Sequence, residues 1–331
     1  MKPRRARIRS VGRFLPERRL TNEDLEKMVD TTDEWIRTRT GIRERRVLEP
    51  GRGCSYMAIR AAQECLDRAG VAASEVDAII VGTVTPDMFF PSTACLVQQG
   101  LGAEKAWGFD LSAGCSGFVF SLTTGAQMIE SGRYDKVLVI GADVMSTIID
   151  YTDRNTCVLF GDAAGAVLLE PCQEEDYGVL DFIQRVDGSG EPYLHMKAGG
   201  SRKPASLETV EAREHYVYQE GKRVFKFAVT GMADVSVRIL EKNGLEGKDV
   251  TLFIPHQANL RIIEACAQRM GLAMDRVVVN IDRYANTTAA TIPLCLYEAV
   301  VEKDALKKGD YLVMSAFGAG FTWGSVLVRW I

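Results

Sequence analysis

One pattern is written twice along this chain, and that repetition limits the fold more than any other feature. Short apolar, β-branched runs alternate with helix-like stretches. They fall at residues 76–81, 136–141 and 166–169 in the first half, and at 250–254, 276–280, 311–315 and 324–328 in the second. Strands that are apolar on consecutive residues are buried on both faces, and strands separated by helices predict a layered α/β architecture with a largely parallel sheet. The halves align at a nearly constant shift. Val76 matches Val250 (250 − 76 = 174), Lys136 matches Tyr311 (311 − 136 = 175) and Cys115 matches Asn286 (286 − 115 = 171). Such a shift over three strand-and-turn units points to an internal duplication. The alternative is the loose self-alignment of any α/β chain. Under duplication, the turn that carries Cys115 in one half carries Asn286 in the other, and both face one cleft. The expected division is a first half at residues 1–186 holding Cys115, a charged surface excursion and linker at 187–222, and a second half at 223–331 holding His256 and Asn286.

Cys115 stands in Ala113-Gly114-Cys115-Ser116-Gly117, between a strand-like run and the helix-like Phe118-Val119-Phe120-Ser121-Leu122. A thiol on a glycine-flanked strand-to-helix turn is unobstructed, and the helix dipole is expected to lower its pKa. Against this, a cysteine often serves only as a small buried hydrophobe. His256, in Ile254-Pro255-His256-Gln257-Ala258-Asn259, and Asn286, in Tyr284-Ala285-Asn286-Thr287-Thr288, likewise follow apolar runs. Sulfur, imidazole and carboxamide at three strand exits make a candidate nucleophilic site.

Composition excludes several other classes. A net charge of −4 gives no global attraction to nucleic acid or an anionic membrane, although arginines crowd the first 46 positions. No apolar stretch is long enough for a signal-peptide core or a membrane span, so a cytoplasmic location is expected. Eight cysteines without a CxxC pair and only three histidines argue for free thiols and against a metal site.

An ordered set of further motifs runs along the chain. It comprises Thr32-Asp33-Glu34-Trp35-Ile36 with Arg39-Thr40-Gly41-Ile42, then Thr152-Asp153-Arg154, Phe160-Gly161-Asp162 and Val224-Phe225-Lys226. It continues with Pro255-His256-Gln257-Ala258-Asn259-Leu260-Arg261-Ile262 and ends with Ala316-Phe317-Gly318 and Gly320-Phe321-Thr322-Trp323-Gly324. With these the chain resembles the β-ketoacyl-acyl-carrier-protein synthase III family of the thiolase superfamily over nearly its whole length. The resemblance implies a thiolase-like duplicated five-layer αβαβα fold, a homodimer, and condensation of a short acyl-CoA primer with malonyl-acyl carrier protein. Acyl-CoA is then a substrate, and no separate cofactor or metal is implied.

The resemblance also places roles on residues. Cys115, His256 and Asn286 fall on the family's catalytic triad, and the backbone N–H groups of Cys115 and Ala319 on its oxyanion hole. Trp35, Arg39 and Arg154 match the coenzyme A site, Phe90 and Phe317 the acyl pocket, and Lys226 and Arg261, extended by Arg269, the carrier-protein surface. Ala285 and Ala319 stand where the family usually or often has Gly. For the decarboxylation, His256 and Asn286 are expected to act as two neutral N–H donors to the enolate oxygen. Two rivals remain: a starter-unit or acyl-transferring relative of polyketide or signal-molecule synthesis, and a Cys-His-Asn hydrolase. The hydrolase is suggested by the Cys-to-His spacing of 256 − 115 = 141 residues.

Overall fold

Residues 4–331 are described by a computed structural model. Five strands form a first sheet: β1 (Arg5–Phe14), β2 (Ala78–Gly82), β3 (Trp107–Leu111), β4 (Val137–Asp143) and β5 (Ala163–Cys172), in the spatial order β1-β5-β4-β2-β3. A second sheet has the order β7-β8-β9-β6, from β6 (Gly178–Val186), β7 (Val250–Pro255), β8 (Tyr311–Gly318) and β9 (Thr322–Arg329). Every residue of β2 and β4 is buried. Their unbroken apolar runs require cover on both faces, and helices supply it.

Seven helices matter here: α1 (Asp33–Thr40), α2 (Cys54–Ala69), α3 (Thr93–Leu101), α4 (Gly117–Glu130), α5 (Gly221–Lys242), α6 (Leu260–Met270) and α7 (Thr291–Tyr297). Helices α2 and α3 cover the outer face of the first sheet. Met57, Ala58, Ala61, Ala62, Cys65 and Leu66 recur on one side of α2 and pack on Ile79, Val81 and Leu138. Helices α5 and α6 cover the outer face of the second sheet through Met232, Ile239, Ile263 and Cys266. Between the sheets lie α4 and α7, whose Phe118, Leu122, Ile292 and Leu296 share one core with Val139 of the first sheet and Met314 and Val326 of the second. Five layers result, α-β-α-β-α.

The duplication is visible in the pairing. From β1 inward, the first sheet pairs antiparallel, antiparallel, parallel, parallel. From β6 inward, the second pairs antiparallel, antiparallel, parallel, and then closes with a single parallel bridge between Phe253 and Val277. The strand expected at 276–280 is thus reduced to that bridge and one bond from Val278 N–H to the Phe253 carbonyl (2.9 Å). Just beyond it the backbone bonds to a side chain instead of a strand: Gln257 Oε1 accepts from the N–H groups of Asn280 (3.0 Å) and Ile281 (3.2 Å). Strand β6 falls within the stretch expected to belong to the first half, yet it is the outer strand of the second sheet, standing where β1 stands in the first. Residues 187–222 carry two short paired strands, Leu194–Met196 and Val217–Gln219.

Ala285, at φ 57° and ψ −156°, occupies backbone space that suits glycine. It is held there because the next residue is clamped, Asn286 N–H donating to the Leu159 carbonyl (2.9 Å) and its own carbonyl accepting from Gly161 N–H (3.0 Å). Ala285→Gly removes the Cβ strain and is expected to stabilise the fold by about 1 kcal/mol. The unfolding midpoint in urea should rise; an unchanged or lower midpoint would show that the strain is not there.

Candidate active site

A cavity of about 740 Å³ is lined by Cys115, His256, Asn286, Phe317, Gly318 and Ala319, together with Trp35 and residues of the 187–222 excursion such as Leu194 and Tyr218. Both halves of the chain build it, and the three strand-exit residues singled out from the sequence meet there.

Cys115 lies in a single 3-10 turn, Gly114–Ser116, that leads from β3 into α4. This turn is pressed against the 318–320 loop of the other half. Gly114 has φ +55°, and a Cβ on it would come within 2.7 Å of Ala319 N, while a Cβ on Gly318 would lie 2.4 Å from Cys115 N. Two side-chain bonds hold this contact: Ser116 Oγ donates to the Thr322 carbonyl (3.0 Å) and Thr322 Oγ1 to the Ala113 carbonyl (2.7 Å). The close approach brings the Ala319 backbone to the Cys115 turn, where the N–H groups of Cys115 and Ala319 and the Asn286 side chain all favour the thiolate form of Cys115. Alanine at 319 offers the same backbone N–H to this space as glycine would.

Asn286 is oriented by its own turn. Its Oδ1 accepts from Thr288 N–H (2.9 Å), which leaves the Nδ2 donor for the cavity. Thr288 is held in turn by Asp143, a fully buried carboxylate at the end of β4. Asp143 Oδ1 accepts from Thr83 Oγ1 (3.0 Å), Val84 N (2.8 Å), Thr85 N (3.2 Å) and Thr85 Oγ1 (2.9 Å). Its Oδ2 accepts from Thr288 Oγ1 and from Ala289 N (3.2 Å). His256 follows β7, its N–H bonded to the Ser315 carbonyl (2.8 Å) and its Nδ1 2.7 Å from Thr291 Oγ1. The residue is 2 % exposed, and its Nε2 has no hydrogen-bond partner among the described residues. Burial pushes its pKa down to about 3, so the imidazole is neutral at any working pH.

The thiol does not behave as the turn suggested. Burial, reinforced by the charge of Asp143, pushes Cys115 up to about 12, outweighing the Asn286 and backbone N–H donors that favour the thiolate. What exposure the residue retains is to the cavity it lines, a confined space rather than bulk water. Burial of the charged form outweighs the lowering expected from the dipole of α4, whose effect is on the order of 1 kcal/mol.

The remaining candidates divide. Trp35 lines the cavity, and the guanidinium carbons of Arg39 and Arg154 stand 5.0 and 5.1 Å from its ring, with Arg154 also paired to Asp30 (3.2 Å). Phe317 lines the cavity and packs on Phe321, ring centroids 5.0 Å apart. Phe90 does not line the cavity of its own chain: it is 84 % exposed in a Met88-Phe89-Phe90 segment that projects from the surface. Lys226 on α5 and Arg261 and Arg269 on α6 are exposed, and none makes an ion pair among the described residues. Those residues contain no group of three or more His, Cys, Asp or Glu placed to hold a metal, and no helix long and apolar enough to cross a membrane. Asp143, Thr288 and Thr291 were missed in the sequence. A carboxylate closing the wholly apolar run 137–142 was the available signal for Asp143; the two threonines gave none.

With the thiol near 12, alkylation of Cys115 by iodoacetamide, followed by peptide mass spectrometry, should still climb about tenfold per pH unit between pH 8 and 10, because the thiolate fraction does. A plateau below pH 9 would contradict the buried-thiol picture.

Comparison with known proteins completes the description. The family profile described as 3-Oxoacyl-[acyl-carrier-protein (ACP)] synthase III matches residues 109–188, and that of its C terminal matches residues 240–330. A beta-ketoacyl-[acyl-carrier-protein] synthase III from Koribacter versatilis is 57% identical over 328 residues, covering 99% of this chain and 98% of that protein. The crystal structure of 3-oxoacyl-[acyl-carrier-protein] synthase III from Aquifex aeolicus superposes with a TM-score of 0.90 at 44% identity, over 98% of this chain and 100% of that one. A priming beta-ketosynthase from a polyketide biosynthetic pathway gives 0.90 at 35% identity, over 98% and 96% of the two chains. The Cys-His-Asn hydrolase reading falls away with this. Whole-length likeness and a thiolase-like duplicated architecture together mean that the chain belongs to the β-ketoacyl-[acyl-carrier-protein] synthase III family, acyltransferase-type condensing enzymes that start fatty-acid synthesis.

Proposed function

We propose that this cavity condenses a short acyl-CoA primer with malonyl-acyl carrier protein in two half-reactions joined by an acyl thioester on Cys115. The observation that carries the reading is the meeting of Cys115, His256 and Asn286 in one cavity that Gly318 and Ala319 also line. In the first half-reaction, the sulfur attacks the primer carbonyl, the two backbone N–H groups hold the oxyanion, and coenzyme A departs as its thiol. In the second, malonyl thioester occupies the emptied site and its carbonyl oxygen takes donors from His256 and from Asn286 Nδ2. Loss of carbon dioxide leaves an enolate, whose carbon attacks the acyl-Cys115 carbonyl; the C–S bond breaks, 3-oxoacyl-carrier protein forms, and the departing Cys115 thiolate takes a proton from water to regain the resting thiol. A neutral imidazole suits this work, since the enolate needs a donor and no strong base.

Trp35 with Arg39 and Arg154 at the cavity mouth suits an adenine and its phosphates, by stacking and charge. The unpaired Lys226, Arg261 and Arg269 on neighbouring helices suit an acidic carrier protein, and Arg261 lies over Phe225, itself a cavity residue (5.4 Å). A homodimer reconciles Phe90 with an acyl-pocket role, since a ring exposed on its own chain can reach the cavity of a second copy. Half-exposed Trp107 on the unpaired edge of β3 supplies an apolar face for such a partner. The scheme needs no cofactor, and a nucleophile that must stay a free thiol, beside seven more free cysteines, suits the cytoplasm. A starter-unit role in polyketide synthesis is the second reading, supported by likeness to the priming ketosynthase. It expects a polyketide carrier protein to be elongated in preference to a fatty-acid one.

The test follows each half-reaction across a panel of acyl-CoA primers, by intact mass of the acylated protein and by product. Cys115→Ser is expected to abolish acylation. His256→Ala should keep acylation and lose decarboxylation by on the order of 10²–10³-fold, the usual effect of removing one such donor. Equal loss of both steps in the His256 variant would refute this division of labour.

Reversing charge with Lys226→Glu and Arg261→Glu should raise KM for malonyl-carrier protein by roughly tenfold and flatten its salt dependence, with primer acylation unmoved. Unchanged carrier-protein kinetics would remove this surface from the account.

A further inference from the structure

The unassigned feature nearest the chemistry is the hydroxyl of Thr291. It is 2 % exposed, lies at the start of α7, and among the described residues has two hydrogen-bond partners, His256 Nδ1 at 2.7 Å and the Thr288 carbonyl at 3.1 Å. One hydroxyl proton serves both contacts, so its direction fixes the ring opposite. Pointed at the carbonyl, it leaves Oγ1 to accept from an Nδ1–H, and Nε2 is bare. Pointed at Nδ1, it leaves the ring proton on Nε2. The Thr288 carbonyl already accepts the Thr291 backbone N–H, so it is not orphaned when the hydroxyl turns away. The ring contact is also the shorter of the two. Nε2, by contrast, is buried, has no hydrogen-bond partner among the described residues, and belongs to a residue of the cavity wall.

We propose that Thr291 is the positioning residue that gives His256 its polarity: its hydroxyl donates to Nδ1 and so presents Nε2–H to the cavity. The neighbouring bond from Thr288 N–H to Asn286 Oδ1 does the same for the carboxamide, turning Nδ2 inward. One turn, residues 288–291, therefore occupies the acceptor atom of both side chains and leaves two donors facing the same space. Asp143, bonded to Thr288 Oγ1 and Ala289 N, keeps that turn in place. Burial, which holds the imidazole neutral, makes the tautomer matter, because a neutral ring has only one N–H to offer. This inference deepens the condensing reading and rests on it for its kinetic arm.

The test has a spectroscopic and a kinetic arm. In the ¹⁵N-histidine-labelled protein, with the His256 signals assigned by their loss in His256→Gln, the resting ring should carry its proton on Nε2. Thr291→Val removes the donor to Nδ1 and should mix the tautomers. Decarboxylation of malonyl-carrier protein should then slow by on the order of tenfold or more, while acylation of Cys115 stays within about twofold of the parent. Thr291→Ser should restore both. A resting proton on Nδ1, or decarboxylation in Thr291→Val within twofold of the parent, would overturn the proposal. Retained acylation shows that the valine variant is folded; if it does not fold, the parent spectrum and the serine variant still decide. Failure of the parent itself to acylate or condense would instead sink the condensing reading, leaving the tautomer measurement to stand alone.

Discussion

Asp143 is the interaction on which the rest of the site depends. A carboxylate removed from water costs several kcal/mol, and here it is stabilised by hydroxyls and backbone amides, each charge-assisted bond contributing about 1.5–3 kcal/mol. Four donors come from the 83–85 loop after β2 and two from the Thr288-Ala289 turn, so the anion stitches the half that holds Cys115 to the half that holds Asn286. The same negative charge helps keep the neighbouring thiol protonated. A resting thiol is the natural consequence.

The duplicated fold explains how one architecture yields two chemistries. In each half, a turn leads into a helix of the central layer: Cys115 enters α4 and Asn286 precedes α7. Equivalent positions carry a thiol on one side and a carboxamide on the other, and both line one cavity. Their separation along the chain is immaterial once both helices are sandwiched between the sheets. At the one point where the Cys115 turn meets the 318–320 loop there is no room for a side chain, and Gly114 and Gly318 let the two backbones touch.

Much of this was legible in the sequence, because buried strands and their exits leave apolar runs that end in polar residues. The runs at 76–81, 136–141, 250–254 and 311–315 read correctly, and so did the shared cleft for Cys115, His256 and Asn286. The run at 276–280 misled, since apolar residues there fill the fifth-strand position without its ladder, and the following N–H groups bond to the Gln257 side chain instead. Strands β1 and β6 went unread, the first interrupted by arginines that its half-exposed positions tolerate. The thiol's pKa was misjudged because a local dipole can be seen in sequence and burial cannot. Asp143, Thr288 and Thr291 act through other residues, and only coordinates reveal what they touch.

The most direct measurement of the central claim is a crystal structure with an unreactive malonyl-thioester analogue in the cavity. The account predicts the analogue's carbonyl oxygen within about 3.2 Å of both His256 Nε2 and Asn286 Nδ2, with its nucleophilic carbon turned to the Cys115 sulfur. An analogue bound with that oxygen on the backbone N–H groups of Cys115 and Ala319 alone, and both side chains out of reach, would contradict it.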